Sequence, residues 1–346
     1  MNTMPTQMTA GRRFPPPQKK RPKDTTCVIA LASVKGGPGK STIAEILATG
    51  LALHNFAVLL VEVEYNTRLT HTLTGVRATS SGDPFDVNQT TWLFFTHPEQ
   101  AEGIEPIQVA MQELTQRIPK LSKPATDQLL GQRAWRRPAV LEFVPGSTRL
   151  RDQDNRIFLA TASTQRVDFD PYTQVTHALA TLRARYDFIV LDTPPVAGLV
   201  QRNALGASDY IIPVVDFDPD SSEDFVRTDQ FVASVAAANR AMKLPEPQVL
   251  GVVYNKYDDT FEENDVALLK AYTEAHFAGP DDDRLLPALV PYPRLGVLRN
   301  DRKTIVRGQQ ARKPLHVFAP TAGVGSDAYA FVEAVEQLLE VSHLIG

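Results

Sequence analysis

Apolar residues in this chain are gathered into short continuous runs. Cys27-Val28-Ile29-Ala30-Leu31-Ala32, Ala57-Val58-Leu59-Leu60-Val61 and Phe188-Ile189-Val190-Leu191 are apolar at every position. Runs of that length without alternation mark strands covered on both faces. The pattern predicts strands over 27–32, 57–64, 139–144, 188–192, 210–215, 248–255 and 286–290. Helical spacing lies between them. Ile43, Ile46, Leu47, Gly50 and Leu51 recur three and four apart, and further helices are predicted near 107–118 and 172–185. A last helix over 327–341 puts Ala328, Phe331, Val332, Val335, Leu338 and Leu339 on one face. Alternating strands and helices predict an α/β fold, a single doubly wound, mostly parallel sheet with helices on both faces.

Between the first strand and first helix stands Lys35-Gly36-Gly37-Pro38-Gly39-Lys40-Ser41-Thr42. It fits the pattern G-x-x-x-x-G-K-[ST] loosely, because the usual first glycine falls on Ser33-Val34, and fits K-G-G-x-G-K-[ST] completely. Strand, glycine loop and helix form the arrangement of a P-loop NTPase. Its backbone N–H groups curl round phosphate oxygens, and the helix N-terminus adds positive charge. Gly36, Gly37, Pro38, Gly39, Lys40, Ser41 and Thr42 are therefore the candidate nucleotide cradle. Lys40 is expected to reach the β- and γ-phosphates, and Ser41 to offer its hydroxyl to Mg²⁺. Lys35 is a second cation at one pocket, which a nucleotide held between two subunits would use.

Three further features suit the same chemistry. Asp192 ends an apolar strand and precedes Thr193-Pro194-Pro195, the placement of a carboxylate that holds Mg²⁺ through a water. Glu62 and Glu64 flank Val63, so they share one strand face. One is expected to contact a metal-bound water and the other to orient the attacking water. Asn255 ends the run Gly251-Val252-Val253-Tyr254-Asn255, and its carboxamide can pair with an adenine edge.

With these residues in place the chain resembles the ParA/MinD family of deviant-Walker-A ATPases, most of all the ParA partition proteins. Further landmarks are Val144-Pro145-Gly146-Ser147 and Ala207-Ser208-Asp209-Tyr210-Ile211-Ile212-Pro213. The resemblance implies ATP and Mg²⁺ as cofactors and ATP-driven homodimerisation, with Lys35 reaching the other subunit's nucleotide. It also implies non-specific DNA binding by the dimer, slow hydrolysis stimulated by a centromere-binding ParB-like partner, and a cytoplasmic, nucleoid-associated location. The family usually has Asp-x-Asp followed by Pro-Gln where this chain has Glu62-Val63-Glu64-Tyr65-Asn66. Glu is one methylene longer, so slow or altered hydrolysis is expected. Residues 66–135 match the family pattern poorly and suit a specialised partner surface.

The 346 residues carry a net charge of −4, so DNA binding needs a local patch. Arg294, Arg299, Arg302, Lys303, Arg307, Arg312 and Lys313 form one candidate; Arg133, Arg136, Arg137, Arg149 and Arg151 form another. Residues 1–25, with Pro15-Pro16-Pro17 and six basic side chains, are expected to be a disordered basic arm, and 26–346 one ATPase domain. The one cysteine, Cys27, excludes a cysteine-rich metal site within one chain and a cluster carrier bridged by paired cysteines. A related ATPase that positions a conjugative DNA-transfer complex stays open, as do a MinD-like membrane-cycling ATPase and a cobyrinate-type ligase. Glu333, Glu336 and Glu340 in the final helix disfavour an anionic membrane.

Overall fold

The computed structural model describes residues 26–54, 56–77, 82–109, 140–152, 170–216, 221–257, 292, 294–311, 315–319 and 323–339. The strands are β1 (Cys27–Ala32), β2 (Ala57–Glu62), β3 (Ile107–Gln108), β4 (Val140–Val144), β5 (Phe188–Asp192), β6 (Tyr210–Asp216), β7 (Gln248–Val249), β8 (Val252–Tyr257) and β9 (Arg294–Arg299). The helices are α1 (Lys40–Leu53), α2 (Arg68–Thr74), α3 (Trp92–Thr96), α4 (Gln174–Leu182), α5 (Leu199–Gly206), α6 (Ser221–Ala241), α7 (Arg302–Gln310), α8 (Leu315–Phe318) and α9 (Gly323–Leu338).

Nine strands among the described residues form one sheet in the order β3-β4-β2-β5-β1-β6-β8-β9, with β7 beside β6. Every pairing is parallel except β3 with β4. β1, β2, β5 and β6 are buried at every position, as their unbroken apolar runs require. Their side chains alternate between two cores. Ile29 and Leu31 pack with α1 and α9, through Ile43, Leu47, Phe331 and Val335. Val28, Ala30 and Ala32 pack on the other face with α3, α4, α5 and α6, through Phe94, Leu179, Leu205 and Val235. The doubly wound, mostly parallel α/β sheet is what the hydrophobic pattern predicts.

Four elements differ from expectation. The helix predicted near 107–118 is instead the short antiparallel strand β3 as far as it is described. Ile107 and Val109 pack on the same core, the two-residue period of a strand, and Val109 N–H donates to Leu141 O at 2.9 Å. The run 248–255 is split, because the register against β6 advances by one residue between Ile211↔Val249 and Val214↔Val253. β9 takes the sheet edge beside β8, where no strand is predicted. The last helix begins at Gly323 rather than at residue 327. The strand predicted over 286–290, the arm 1–25 and residues 110–139 lie outside the described residues.

Gly50 allows α1 and α9 their close approach. A Cβ there would lie 2.5 Å from Val332 Cγ2. Gly50→Leu is therefore expected to destabilise the fold by about 1–3 kcal/mol through overpacking. Urea unfolding checks this; an unchanged midpoint would contradict the packing.

The chain crosses from one half of the sheet to the other at β1, which is flanked by β5 and β6. In open α/β sheets the crevice at such a point opens at the strands' carboxyl ends. Glu62, Asp192 and Asp216 terminate β2, β5 and β6, with Glu62 paired to Asp192 and Asp216 to Asn255.

Candidate functional site

The loop leaving β1 turns twice through left-handed backbone, at Gly37 (φ 95°) and Gly39 (φ 97°). Side chains are strained there, so glycine is the fitting residue. α1 starts immediately after, with no side-chain cap and no acidic residue in its first turn. Its first N–H groups are thus offered to an anion. Gly36 and Gly37 are exposed, whereas Pro38 and Lys40 are buried. Ser41 and Thr42 follow on the first turn of α1, half-buried.

Distant residues hold this loop in shape. Thr193 Oγ1 donates to Leu31 O at 2.6 Å, and Gln201 Nε2 donates to Ser33 O at 3.1 Å and Pro194 O at 2.9 Å. Val34 N–H donates to Thr228 Oγ1 on α6 at 3.1 Å. Asn255 Nδ2 donates to Pro38 O at 2.7 Å, and a Cβ on Gly39 would lie 2.2 Å from that same nitrogen. Asn255 therefore braces the glycine turn. That bond uses one of its two amide N–H groups, so the bracing role stands beside the adenine contact expected of the carboxamide.

The two lysines are held differently. Lys40 is buried and its ammonium donates back to Lys35 O at 3.3 Å. Burial lowers its pKa, opposed by Asp192 and then Glu64. Lys35 opens the loop, with its ammonium 3.4 Å from Asp224 and 3.8 Å from Asp216. Lys256 also pairs with Asp216 at 3.1 Å. Asp216 shows the signature used to single out Asp192, a carboxylate ending an apolar strand. Asp224 sits on α6 and carries no such signal.

The carboxylates are buried and short of positive charge. Burial pushes Asp192 up to about 6, opposed by Ser41, Lys40 and Arg68. Neither oxygen of Asp192 has a partner in hydrogen-bond geometry among the described residues, although the Ser41 hydroxyl is near enough to oppose the shift. A buried, unpartnered carboxylate beside a hydroxyl suits Mg²⁺, which takes one or two carboxylates together with phosphate oxygens. Among the described residues no three His, Cys, Asp or Glu side chains are grouped to hold an ion by themselves. Ser41 and Asp192 are thus the residues that fit a metal.

Glu64 is raised to about 7 by burial and by Asp192, with Asn66, Tyr65 and Lys40 opposing. Its Oε1 accepts from Tyr65 N at 2.9 Å and from Asn66 N and Nδ2 at 3.2 Å. Glu62 is fully buried, and its carboxylate faces protein donors: Oε1 accepts from Leu69 N at 2.6 Å, and Oε2 from Thr70 N at 3.0 Å, Thr70 Oγ1 at 2.5 Å and Gly146 N at 3.2 Å. Both oxygens thus accept from protein donors, and the structure places the Glu62 carboxylate against α2 and Gly146.

The basic candidates separate. Arg299 is tied to Asp327, with Nε and Nη2 each at 3.0 Å from a carboxylate oxygen. Arg302, Lys303 and Arg307 are exposed along α7, with the half-exposed Val306 among them. Arg294 lies on β9, but its side chain is outside the described residues, as are Arg133, Arg136, Arg137, Arg312 and Lys313. Arg149 and Arg151 are exposed, with the Arg151 guanidinium 5.6 Å from the centre of the Tyr65 ring. Among the described residues no helix is long and apolar enough to cross a membrane.

Comparison with known proteins agrees with this geometry. The sporulation initiation inhibitor protein Soj of Bacillus subtilis is 30% identical over 188 residues, 54% of this chain and 57% of Soj. The chromosome partitioning protein ParA of Myxococcus xanthus is 29% identical over 185 residues, 54% of this chain and 50% of that protein. The chain thus spans about half the length of these two relatives. The structure of apo McdA from Cyanothece superposes with a TM-score of 0.63 at 15% identity, covering 91% of this chain and 99% of McdA, a likeness of fold. A family model described as an AAA domain (AAA_31) matches residues 26–243, well over half of the sequence. On that match, and with a two-lysine glycine loop at the head of a doubly wound sheet, the chain belongs to the ParA/MinD family of P-loop ATPases.

Proposed function

We propose that the protein is an ATP-dependent dimerising switch that binds DNA non-specifically, positions or segregates plasmid or chromosomal DNA, and is reset by hydrolysis. The observation that carries this reading is the unequal holding of the two lysines. Lys40 is buried within the loop where it serves the subunit's own nucleotide. Lys35, at the start of the loop, is paired with Asp216 and Asp224, from which it would turn to a second subunit. Ser41 and Asp192 would hold Mg²⁺ against the phosphates, and Glu64 would orient the attacking water. A ParB-like centromere-binding partner would stimulate turnover on the nucleoid.

Arg302, Lys303 and Arg307 are the exposed cations favoured for DNA, six in a dimer. Retention on random-sequence duplex DNA is expected with ATP and not without it. Its affinity should fall with salt at a log–log slope of about −5, near 0.9 for each neutralised phosphate. Equal retention without nucleotide would overturn the switch. ATP hydrolysis is checked by phosphate release. Co-sedimentation with anionic vesicles is expected to be absent, as Glu333 and Glu336 lie on α9 and Glu336 pairs with His54; ATP-dependent pelleting would favour a membrane cycle instead.

A further inference from the structure

We propose that Glu62 is a positioning residue that fixes the catalytic loop carrying Glu64, and that its length, one methylene beyond aspartate, is what allows this. The proposal rests on the reading of the site as an ATPase. Glu62 is the last residue of β2, and the chain leaves the sheet there and enters α2 at Arg68. Its carboxylate gathers donors from both ends of the surrounding structure. Leu69 N and Thr70 N belong to the first turn of α2, and Gly146 N to the loop after β4. The N-cap of α2, Thr67, has left-handed backbone (φ 46°) and no side-chain cap, so Glu62 supplies the acceptor that α2 lacks locally.

Glu64 is enclosed by this clamp. Val63 N–H donates to Asp192 O at 2.8 Å, fixing the entry of the loop. The Glu64 backbone abuts Gly146, where a Cβ would lie 2.3 Å from Glu64 O and 3.1 Å from Glu62 Oε2. Thr91 Oγ1 donates to Glu62 O at 3.1 Å, and Asp83 binds Ser147 Oγ at 2.5 Å and Thr148 N at 2.6 Å. The loop bearing Glu64 is thus held by one buried carboxylate against two other segments. An aspartate at position 62 would fall about 1.5 Å short of α2 or of Gly146.

The experiment uses the full chain as wild type, Glu62→Gln, Glu62→Asp and Gly146→Ala. Catalysis is sensitive to ~1 Å displacements at roughly 10²-fold. The expected result is a kcat lower by about that factor in all three variants, with the KM for MgATP and the Mg²⁺ half-saturation little changed. Amide exchange supplies a readout independent of turnover. Tyr65 and Asn66, which bond Glu64 and not Glu62, are expected to lose protection in Glu62→Gln, while amides of β1 and β5 keep theirs. The proposal is overturned if Glu62→Asp retains wild-type kcat, if Glu62→Gln mainly raises the Mg²⁺ requirement, or if Tyr65 and Asn66 stay protected. A wild type that binds ATP but releases no phosphate sinks the ATPase reading instead, and the exchange pattern still decides whether Glu62 fixes the loop.

Discussion

Lys40→Ala is expected to weaken ATP binding by about 10²- to 10³-fold or more, the consequence of removing one member of a desolvated charge contact worth about 3–5 kcal/mol. The ammonium is buried at the head of α1, where the water that would otherwise screen it is excluded. The variant is expected to fold. Burial is the largest influence on Lys40 and disfavours its charge, so the alanine relieves a desolvation cost. Against this, Asp192 and Glu64 lose a nearby cation, and both already titrate high, at about 6 and about 7. They can take up protons instead of leaving unpaired charge. Equilibrium binding of a fluorescent ATP analogue, run beside thermal unfolding, separates the two effects. Wild-type affinity in Lys40→Ala would remove the nucleotide assignment of the loop.

What the sequence reveals of this molecule divides along physical lines. Strands β1, β2, β5 and β6 are legible because parallel strands covered on both faces must be apolar at every position, and theirs are. The glycine loop is legible because its two left-handed turns at Gly37 and Gly39 admit little besides glycine. β3 and β9 are not legible. β3 has two residues, and β9 holds Arg294 and Arg299 within its run, as an edge strand can.

Site residues divide in the same way. Asp192 stands out because it follows directly on an apolar strand. The roles of Glu62 and Asn255 depend on partners far away in the chain: Gly146 is 84 residues from Glu62, and Pro38 is 217 residues from Asn255. Both side chains have the polarity the chemistry needs, so type and spacing alone assign them to substrate. Only the fold shows that backbone groups of the protein engage them as well. The same holds for Arg299, a member of a basic cluster by sequence and one half of a bidentate pair with Asp327 in space.

Lys35→Ala is expected to act on a different quantity from Lys40→Ala. Each subunit should keep its ATP affinity, and the ATP-dependent dimer should weaken by more than about 10³-fold, since two cations of about 2–5 kcal/mol each would be lost across one interface. The Lys35 contact to Asp224 at 3.4 Å joins two partly exposed side chains, and such pairs contribute no more than about 1 kcal/mol; Asp216, at 3.8 Å, is buried. Asp216 retains Lys256 when Lys35 departs. The same contacts predict the opposite outcome for Asp224→Asn. Loosening the hold on Lys35 should let the dimer form at ATP-saturating conditions with affinity up to about 5-fold higher. Sedimentation velocity with ATP and with ADP reads both variants. A Lys35→Ala protein that dimerises like wild type, or one that loses ATP affinity as Lys40→Ala does, would show that the outer lysine serves its own subunit and that its carboxylate partners hold nothing in reserve.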